Sequence, residues 1–373
     1  MDRREIERFL DAIRQARLAR EPAAIATIVR VRGSAYRREG THMLIRANGT
    51  YECALSGGCL EPSVALAAVR VIETGQPAVV NYDLADESLW GLGMGCSGAI
   101  DVLIERLDDI EGDEIAREWL NVLDRGERAA LVTPLAGVSG RLLVHEIGEP
   151  RGRLSDPSVE REVLAHARMR LRAARPRSGP ERIGRSEVFY EISTPPPEIV
   201  IFGANPDVAP LAREAWTLGF AVTIVDRRSA YLTRDQFPHA KLVLAHFSEF
   251  PVAVPLGPET AVLVMNHHVE RDEESLRYAL ESDGGYIGVL GPRSRYLMLL
   301  ENLAAKGYVP SPSRLARVHS PVGLAIGAET PEEIAVSVLG ELIAVNRGFR
   351  GGLLSGAKGR VHAPDDNRLL TSS

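Results

Sequence analysis

The chain has 373 residues, 45% of them hydrophobic and 25% charged, with a formal net charge of −6; this is the composition of a soluble globular protein of about two domains. No basic block stands out, which argues against nucleic acid or an anionic membrane as the main partner, and no run of about 18 apolar residues offers a transmembrane helix. The three cysteines, Cys53, Cys59 and Cys96, cannot all pair, and Met1 to Arg20 has no apolar leader core, so a cytoplasmic protein with reduced thiols is expected.

Glu5 to Ala19 sets Ile6, Phe9, Leu10, Ile13 and Leu18 on one side of a helix. Ala24 to Val31 reads as a strand and runs into a basic loop, Arg32 to Gly40, that carries Arg37 and Arg38. Met43 to Arg46 and Thr50 to Leu55 flank Asn48-Gly49, a pair that predicts a hairpin with a type I′ turn. Next comes Leu55-Ser56-Gly57-Gly58-Cys59-Leu60-Glu61. Gly57 and Gly58 free the backbone and let another group approach it. Glu61-Pro62-Ser63 reads as a helix start, with the helix spanning Cys59 to Thr74. A thiol at a helix N-terminus has its pKa lowered by the exposed N–H groups and the dipole, as expected for Cys59. Between short strands at Val79 to Tyr82 and Ile100 to Leu107 lies a companion, Gly91 to Gly98, in which Gly95 and Cys96 repeat the pattern. The two loops are expected to meet around a ligand that needs thiolates and bare backbone. The plainer alternative makes both cysteines small core residues beside turns.

A faint internal repeat follows. Ala129 to Leu135 echoes Ala24 to Val29, and Gly140 to Val144 echoes the Met43 strand. Pro157-Ser158-Val159 matches Pro62-Ser63-Val64, which sets Arg153-Leu154-Ser155-Asp156 opposite Gly58-Cys59-Leu60-Glu61. A fold that recurs without the Gly-Gly-Cys stretch shifts weight towards a functional Cys59. Arg170 to Arg185 reads as a mobile basic loop, and Glu187 to Ile192 as a strand. Thr194-Pro195-Pro196-Pro197 is a stiff linker, so the expected domains are residues 1–194 and 195–350, with 351–373 a disordered tail.

In the second domain strands at Glu198 to Phe202, Ala221 to Val225, Leu242 to Ala245, Ala261 to Met265 and Tyr286 to Leu290 alternate with helices, the signature of a doubly wound parallel sheet. Gly203-Ala204-Asn205-Pro206 stands where a dinucleotide turn belongs, and Asp226 ends the next strand, placed for a ribose hydroxyl. Asn205 replaces the glycine that admits a pyrophosphate, and Pro206 removes an N–H, so NAD(P) binding is weakly indicated. Asn266-His267-His268 is a metal pair without a third ligand, or a polar strand-end loop. Gly291-Pro292-Arg293 opens a helix after a strand, an arrangement suited to an anion.

Taken together, Gly33-Ser34, Arg37-Arg38, Gly40, Ser56 to Glu61, Tyr82-Asp83, Gly95 to Gly98, Gly203-Ala204, Val225-Asp226, Tyr286 to Gly291 and Ile326 to Ala335 resemble the XdhC/CoxI family of molybdenum-cofactor maturation proteins. The resemblance implies an α/β protein: an α+β domain of that family's type with an internal repeat, then a Rossmann-like domain. It further implies binding of the molybdenum cofactor (molybdopterin), help with its sulfuration, and delivery to a xanthine dehydrogenase- or carbon monoxide dehydrogenase-type hydroxylase. A cofactor-insertion chaperone is expected rather than a turnover enzyme, with a cysteine desulfurase as sulfur donor and a homodimer as the assembly. Cys59 and Cys96 then become ligands for molybdenum or sulfur, since soft thiolates suit a thiophilic metal. Gly57, Gly58, Gly95, Arg37, Arg38, Gly203, Asn205, Asp226, Gly291 and Arg293 become cofactor contacts. Asn205 and Ser97 depart from the family's usual glycines. Two other readings remain: an NAD(P)-dependent oxidoreductase, and a scaffold that bridges a hydroxylase and a sulfur donor.

Overall fold

Two five-stranded antiparallel sheets with the same strand order build the first half of the chain. The structure, a computed structural model, describes residues 1–83 and 98–356, and forms two units, Met1–Pro195 and the residues from Pro196. Most of the expected tail, residues 357–373, lies outside the described residues. Helix α1 (Arg3–Ala19) starts from a capping box between Asp2 and Glu5 and buries Phe9, Leu10, Ala12, Ile13 and Ala16, while Leu18, expected on the same face, is exposed in its last turn. Strands β1 (Ala23–Gly33), β2 (His42–Arg46), β3 (Tyr51–Glu52), β4 (Ala78–Asp83) and β5 (Gly98–Arg106) lie in the order β3-β2-β1-β5-β4. Helix α2 (Glu61–Thr74) covers one face with Val64, Ala65, Ala68 and Val71, and Gly75 ends it in the left-handed region. In the β2–β3 hairpin only Gly49 has positive φ, 81°, and its N–H bonds to the Arg46 carbonyl. Asn48 stays out of the left-handed region, so the turn is type I closed by a left-handed glycine rather than type I′.

Helices α3 (Leu107–Gly112) and α4 (Glu114–Arg125), which no motif in the sequence had marked, lead into the second sheet. Its strands β6 (Ala129–Ala136), β7 (Gly140–His145), β8 (Arg151–Leu154), β9 (Gly179–Ile183) and β10 (Ser186–Ser193) lie in the order β8-β7-β6-β10-β9, with α5 (Pro157–Arg172) on one face. The stretch expected to be a mobile loop, Arg170 to Arg185, therefore ends a helix and contributes an edge strand. The edge position tolerates Pro180, and buried Ile183 anchors the strand.

Strand pairing fixes the register of the repeat. Ala23 faces Arg46 as Ala129 faces His145, and Thr27 faces Leu103 as Thr133 faces Phe189. From β2 through α2 one constant offset matches Leu55 to Leu154, Glu61 to Glu160, Val64 to Val163 and Ala68 to Ala167. A hydrogen bond anchors it: the Leu55 N–H donates to Glu61 as the Leu154 N–H donates to Glu160. In this frame Asp156, Pro157 and Ser158 stand in the places of Gly57, Gly58 and Cys59. The Pro-Ser-Val alignment is therefore out of register, because α5 begins most of a turn earlier than α2.

The second unit is a six-stranded parallel sheet. Its elements run β11 (Glu198–Phe202), α6 (Val208–Thr217), β12 (Ala221–Asp226), β13 (Lys241–Leu244), α7 (Phe250–Ala253), β14 (Thr260–Val264), α8 (Val269–Glu281), β15 (Tyr286–Val289), α9 (Arg293–Ala305), α10 (Pro312–Leu315), β16 (Val318–His319) and α11 (Pro331–Arg347). The strand order is β13-β12-β11-β14-β15-β16. Along β11, Ile199 and Ile201 meet α6 and α11 on one face, while Val200 and Phe202 meet α8 and α9 on the other. Both faces are covered, as a parallel sheet requires.

Candidate functional site

The Cys59 loop winds around one hydroxyl. Glu61, the first residue of α2, is fully buried. Its Oε1 accepts the N–H groups of Leu55 and Ser56 at 3.0 and 2.7 Å, and its Oε2 accepts the Ser56 hydroxyl at 2.6 Å. The N–H groups of Gly58, Cys59 and Leu60 all point at the Ser56 Oγ at 3.2 Å, and the Cys59 thiol lies 3.3 Å from it. The chain folds this way because a buried carboxylate must be hydrogen-bonded and the loop supplies the donors within its reach. Cys59 is half-buried against the apolar cluster of Leu55, Leu60, Ala35 and Tyr82. Among the described residues, a side chain added at Gly57 or Gly58 would meet no atom within 4 Å, so no described neighbour covers the backbone before the sulfur. Gly58 also needs its φ of 109°. The sulfur thus precedes α2 rather than sitting in its first turn.

Two other stretches flank this loop. Buried Ala35 joins the same cluster and leaves Tyr36 and Arg38 exposed. Arg37 differs from Arg38: its guanidinium is bonded to Glu5 at 2.5 Å. Burial pushes the Glu5 carboxyl up, but the Arg37 hydrogen bond and charge outweigh it and hold Glu5 below its ordinary value. The Tyr82 hydroxyl reaches the Ser63 carbonyl in the first turn of α2 at 3.5 Å, which brings the end of β4 beside the Cys59 loop. Asp83 ends β4 and Gly98, opposite Gly33, begins β5. Gly98 admits no side chain, since a Cβ there would lie 2.2 Å from the Ser34 carbonyl oxygen. Gly95, Cys96 and Ser97 lie outside the described residues. Cys53 is half-buried at φ 64°, and burial raises its thiol pKa, which lowers its share of thiolate.

In the Rossmann unit the turn after β11 is tight. Gly203 has φ 118°, and a Cβ would lie 2.4 Å from the Met265 carbonyl oxygen. Asp226 is present at the end of β12, but its oxygens are already engaged. Oδ2 accepts the Ala204 N–H at 3.0 Å and Arg228 Nη2 at 2.8 Å, while Oδ1 accepts the Arg228 N–H and Nε at 2.8 and 3.0 Å. Burial raises the Asp226 carboxyl, and these hydrogen bonds outweigh it and hold it below its ordinary value. Arg228 also donates to Asn205 Oδ1 at 3.1 Å and lies over the Tyr231 ring. Asn205 Nδ2 in turn reaches the carbonyls of Met265 and Asn266 at 3.1 and 3.2 Å. Gly203, Asn205 and Asp226 are thus brought together, and side chains of the protein fill the space between them. Gly291 is left-handed, and Arg293 begins α9, exposed and 3.4 Å from the Ser320 carbonyl oxygen. Sequence reasoning offered Arg228, with Arg227, as a phosphate contact or a solvated residue past a strand end, and placed Ser56 and Glu61 only as motif members; the signal available for Glu61 was an acidic residue one helix turn past a Ser-Gly-Gly. Among the described residues no three His, Cys, Asp or Glu side chains are grouped to hold a metal ion, and no helix is long and apolar enough to cross a membrane.

These features define a two-part α/β protein: a duplicated α+β unit that displays one framed cysteine, and a Rossmann-type unit whose nucleotide turn is closed by its own side chains. Residues 199–342 match the family model described as the XdhC Rossmann domain, and residues 16–83 match that of the XdhC and CoxI family. A Bacillus subtilis (strain 168) protein described as a probable subunit of xanthine dehydrogenase is 34% identical over 336 residues, spanning 88% of this chain and 94% of that one. The molybdenum cofactor insertion chaperone PaoD of Escherichia coli (strain K12) is 24% identical over 374 residues, spanning 100% and 93%. A Bacillus halodurans crystal structure described as a xanthine dehydrogenase superposes with a TM-score of 0.74 at 31% identity, covering 91% of this chain and 96% of that one. The chain belongs to the XdhC and CoxI family.

Proposed function

We propose that this protein binds the molybdenum cofactor, assists its sulfuration, and inserts it into a xanthine dehydrogenase- or carbon monoxide dehydrogenase-type hydroxylase. The names of its relatives, one a cofactor insertion chaperone and one a component of xanthine dehydrogenase, support the reading. The observation that carries it is the Cys59 loop. Both repeats keep the glutamate that bonds the preceding leucine N–H, yet only the first adds two side-chain-free residues and a sulfur. A structural need would have kept them in both.

The residues present fit such a group. No described residue covers Gly57 and Gly58, which suits a flat ring system against bare backbone, and a half-exposed thiol suits a soft metal or its sulfur ligands. When bound, the cofactor supplies a thiophilic metal, a pterin and a phosphate. Cys59 and Cys96 are the assigned sulfur contacts; Gly57, Gly58 and Gly95 the bare backbone; Arg38, with Arg37 shared with Glu5, the contact for negative charge. The hydroxylase client, a cysteine desulfurase and a second copy of this chain complete the partners.

The test is to purify the protein from a molybdenum-replete host and oxidise the released ligand to its fluorescent pterin. Wild type is expected to carry it, and Cys59→Ala and Cys96→Ala to lose it. If both variants keep the cofactor and still activate the hydroxylase, the cysteine assignment fails. The NAD(P)-dependent oxidoreductase and bridging-scaffold readings draw less support: Asp226 has no free acceptor for a ribose, and a pure scaffold has no use for a framed thiol beside open backbone.

A further inference from the structure

The Rossmann unit presents a histidine that the proposed function leaves unused. We propose that His267, held by Asp207 at the crevice between β11 and β14, binds the phosphate group of a phosphate monoester.

The position is where such a sheet binds ligands. Strand order reverses between β11 and β14, and doubly wound sheets take their ligands outside the carboxyl ends of the strands at that point. One lip is the Gly203–Asp207 turn; the other runs from Met265 to His268.

The second lip is organised to display the ring. Asn266 is buried, and Asp272 Oδ1 accepts its N–H at 3.0 Å and its side-chain amide at 3.2 Å. Asn205 holds the carbonyls on the other side. Between these restraints His267 has φ 56°, a left-handed backbone that a residue with a Cβ adopts at a cost of about 1 kcal/mol. Such strain survives only where the surroundings dictate it, and it clusters at functional sites.

The ring is poised. Its Nε2 lies 2.6 Å from Asp207 Oδ2, and 52% of the side chain is exposed. A carboxylate that holds one ring nitrogen turns the other outward, and no described residue engages Nδ1. The charged groups facing it are Asp207 on the α6 lip, Asp272 on α8 and Arg295 on α9, with His268 next to it in the chain. Arg295 is bonded to Asp272 through Nε and Nη2, and His267 offers this lip its exposed Nδ1. The N-termini of α6 and α8 open beside it and favour an anion. The hydrogen bond that the ring donates to Asp207 outweighs burial and raises the imidazole pKa, so the ring holds its proton to higher pH than it would without Asp207. A dinucleotide fits less well, since Asn205 and Arg228 fill the turn that its pyrophosphate needs.

The experiment follows the imidazole nitrogens by two-dimensional NMR in the full chain, with inorganic phosphate and then AMP as probes. His267 is assigned by difference from His267→Asn, chosen because Asn tolerates a left-handed backbone. The titration midpoint of His267 should rise on adding either probe, and H267N should weaken AMP binding about tenfold or more. D207N should lower the midpoint and shift AMP binding to lower pH, while keeping the melting temperature near wild type. Imidazole signals of His267 that ignore both probes up to about 10 mM, a range that reaches interactions weaker than about 4 kcal/mol, overturn the proposal. So does AMP binding of wild-type strength in H267N. Neither result bears on whether the first unit carries the molybdenum cofactor.

Discussion

Around Cys59 single groups decide the outcome. Glu61 accepts three hydrogen bonds inside the protein. Removing a charged acceptor strands the Leu55 and Ser56 N–H groups, so Glu61→Ala is expected to lower stability by roughly 3 kcal/mol, read by urea denaturation; a loss under about 1 kcal/mol would contradict this account of the loop. Gly57 and Gly58 separate conformation from access. Gly58 has positive φ, whereas Gly57 has neither positive φ nor a neighbour near its missing Cβ. Gly57→Ala is therefore expected to leave the melting temperature within a few degrees of wild type, as is usual for surface changes. It should nevertheless reduce the cofactor that co-purifies, because the methyl group enters the space assigned to the ligand. Full retention by G57A would place the ligand elsewhere.

Elements meet through paired charges. His42 corresponds to Arg141, Thr27 to Thr133 and Glu105 to Glu191. Each repeat sends a nitrogen-bearing side chain to the other's glutamate: His42 Nε2 lies 2.5 Å from Glu191, and Arg141 bonds Glu105. These pairs line a small cavity of about 40 Å³ between the sheets, beside the cluster of Val29, Leu103, Leu135 and Phe189. Arg141→Ala leaves Glu105 in that interior without its partner, at an expected cost of about 3–5 kcal/mol. The double change to Arg141→Met with Glu105→Met should recover part of it, since the pair's desolvation also disappears while the Arg141 bond to Asp113 stays lost. If the double variant is as unstable as the single one, the pairing is not the cause. In the Rossmann unit the Asp226–Arg228 clamp carries a pH signature. The folded pKa of Asp226 lies below its ordinary 3.8. Its contribution is therefore present above that pH and is lost as pH falls through the lower folded value. Arg228→Ala should destabilise the protein near neutrality, and the gap to wild type should close on acidification below about pH 4, as followed by denaturant titration at several pH values. A gap that widens in acid would refute the assignment.

At the scale of the whole molecule, each unit has its own interior. One has clusters on α1, α2, α4 and α5, and the other has clusters on the two faces of the parallel sheet. Residues 1–195 and 196–356 produced separately are expected to unfold cooperatively, each in a single calorimetric transition. The first should keep the pterin fluorescence of the released cofactor. A first unit that folds yet comes without cofactor would move the binding site out of it.

Much of this was written in the chain itself. Alternating apolar strands and helices fixed the parallel sheet, because buried strands read as continuous apolar runs whatever surrounds them. Gly57-Gly58-Cys59 was legible as a special loop, since glycines beside a thiol have a local meaning. What stayed hidden was long-range. The register of the repeat rests on a hydrogen bond from a leucine N–H to a glutamate six residues away, which outranks the resemblance of two Pro-Ser-Val triplets. Arg170 to Arg185 looked like a loop because its basic residues face solvent, while its place at a sheet edge depends on β10. The sequence also placed Asp226 correctly at its strand end. Only the tertiary structure showed that Arg228 and the Ala204 N–H occupy its oxygens, because a carboxylate's partners are chosen by what the fold brings within 3 Å of it, not by its neighbours in the chain.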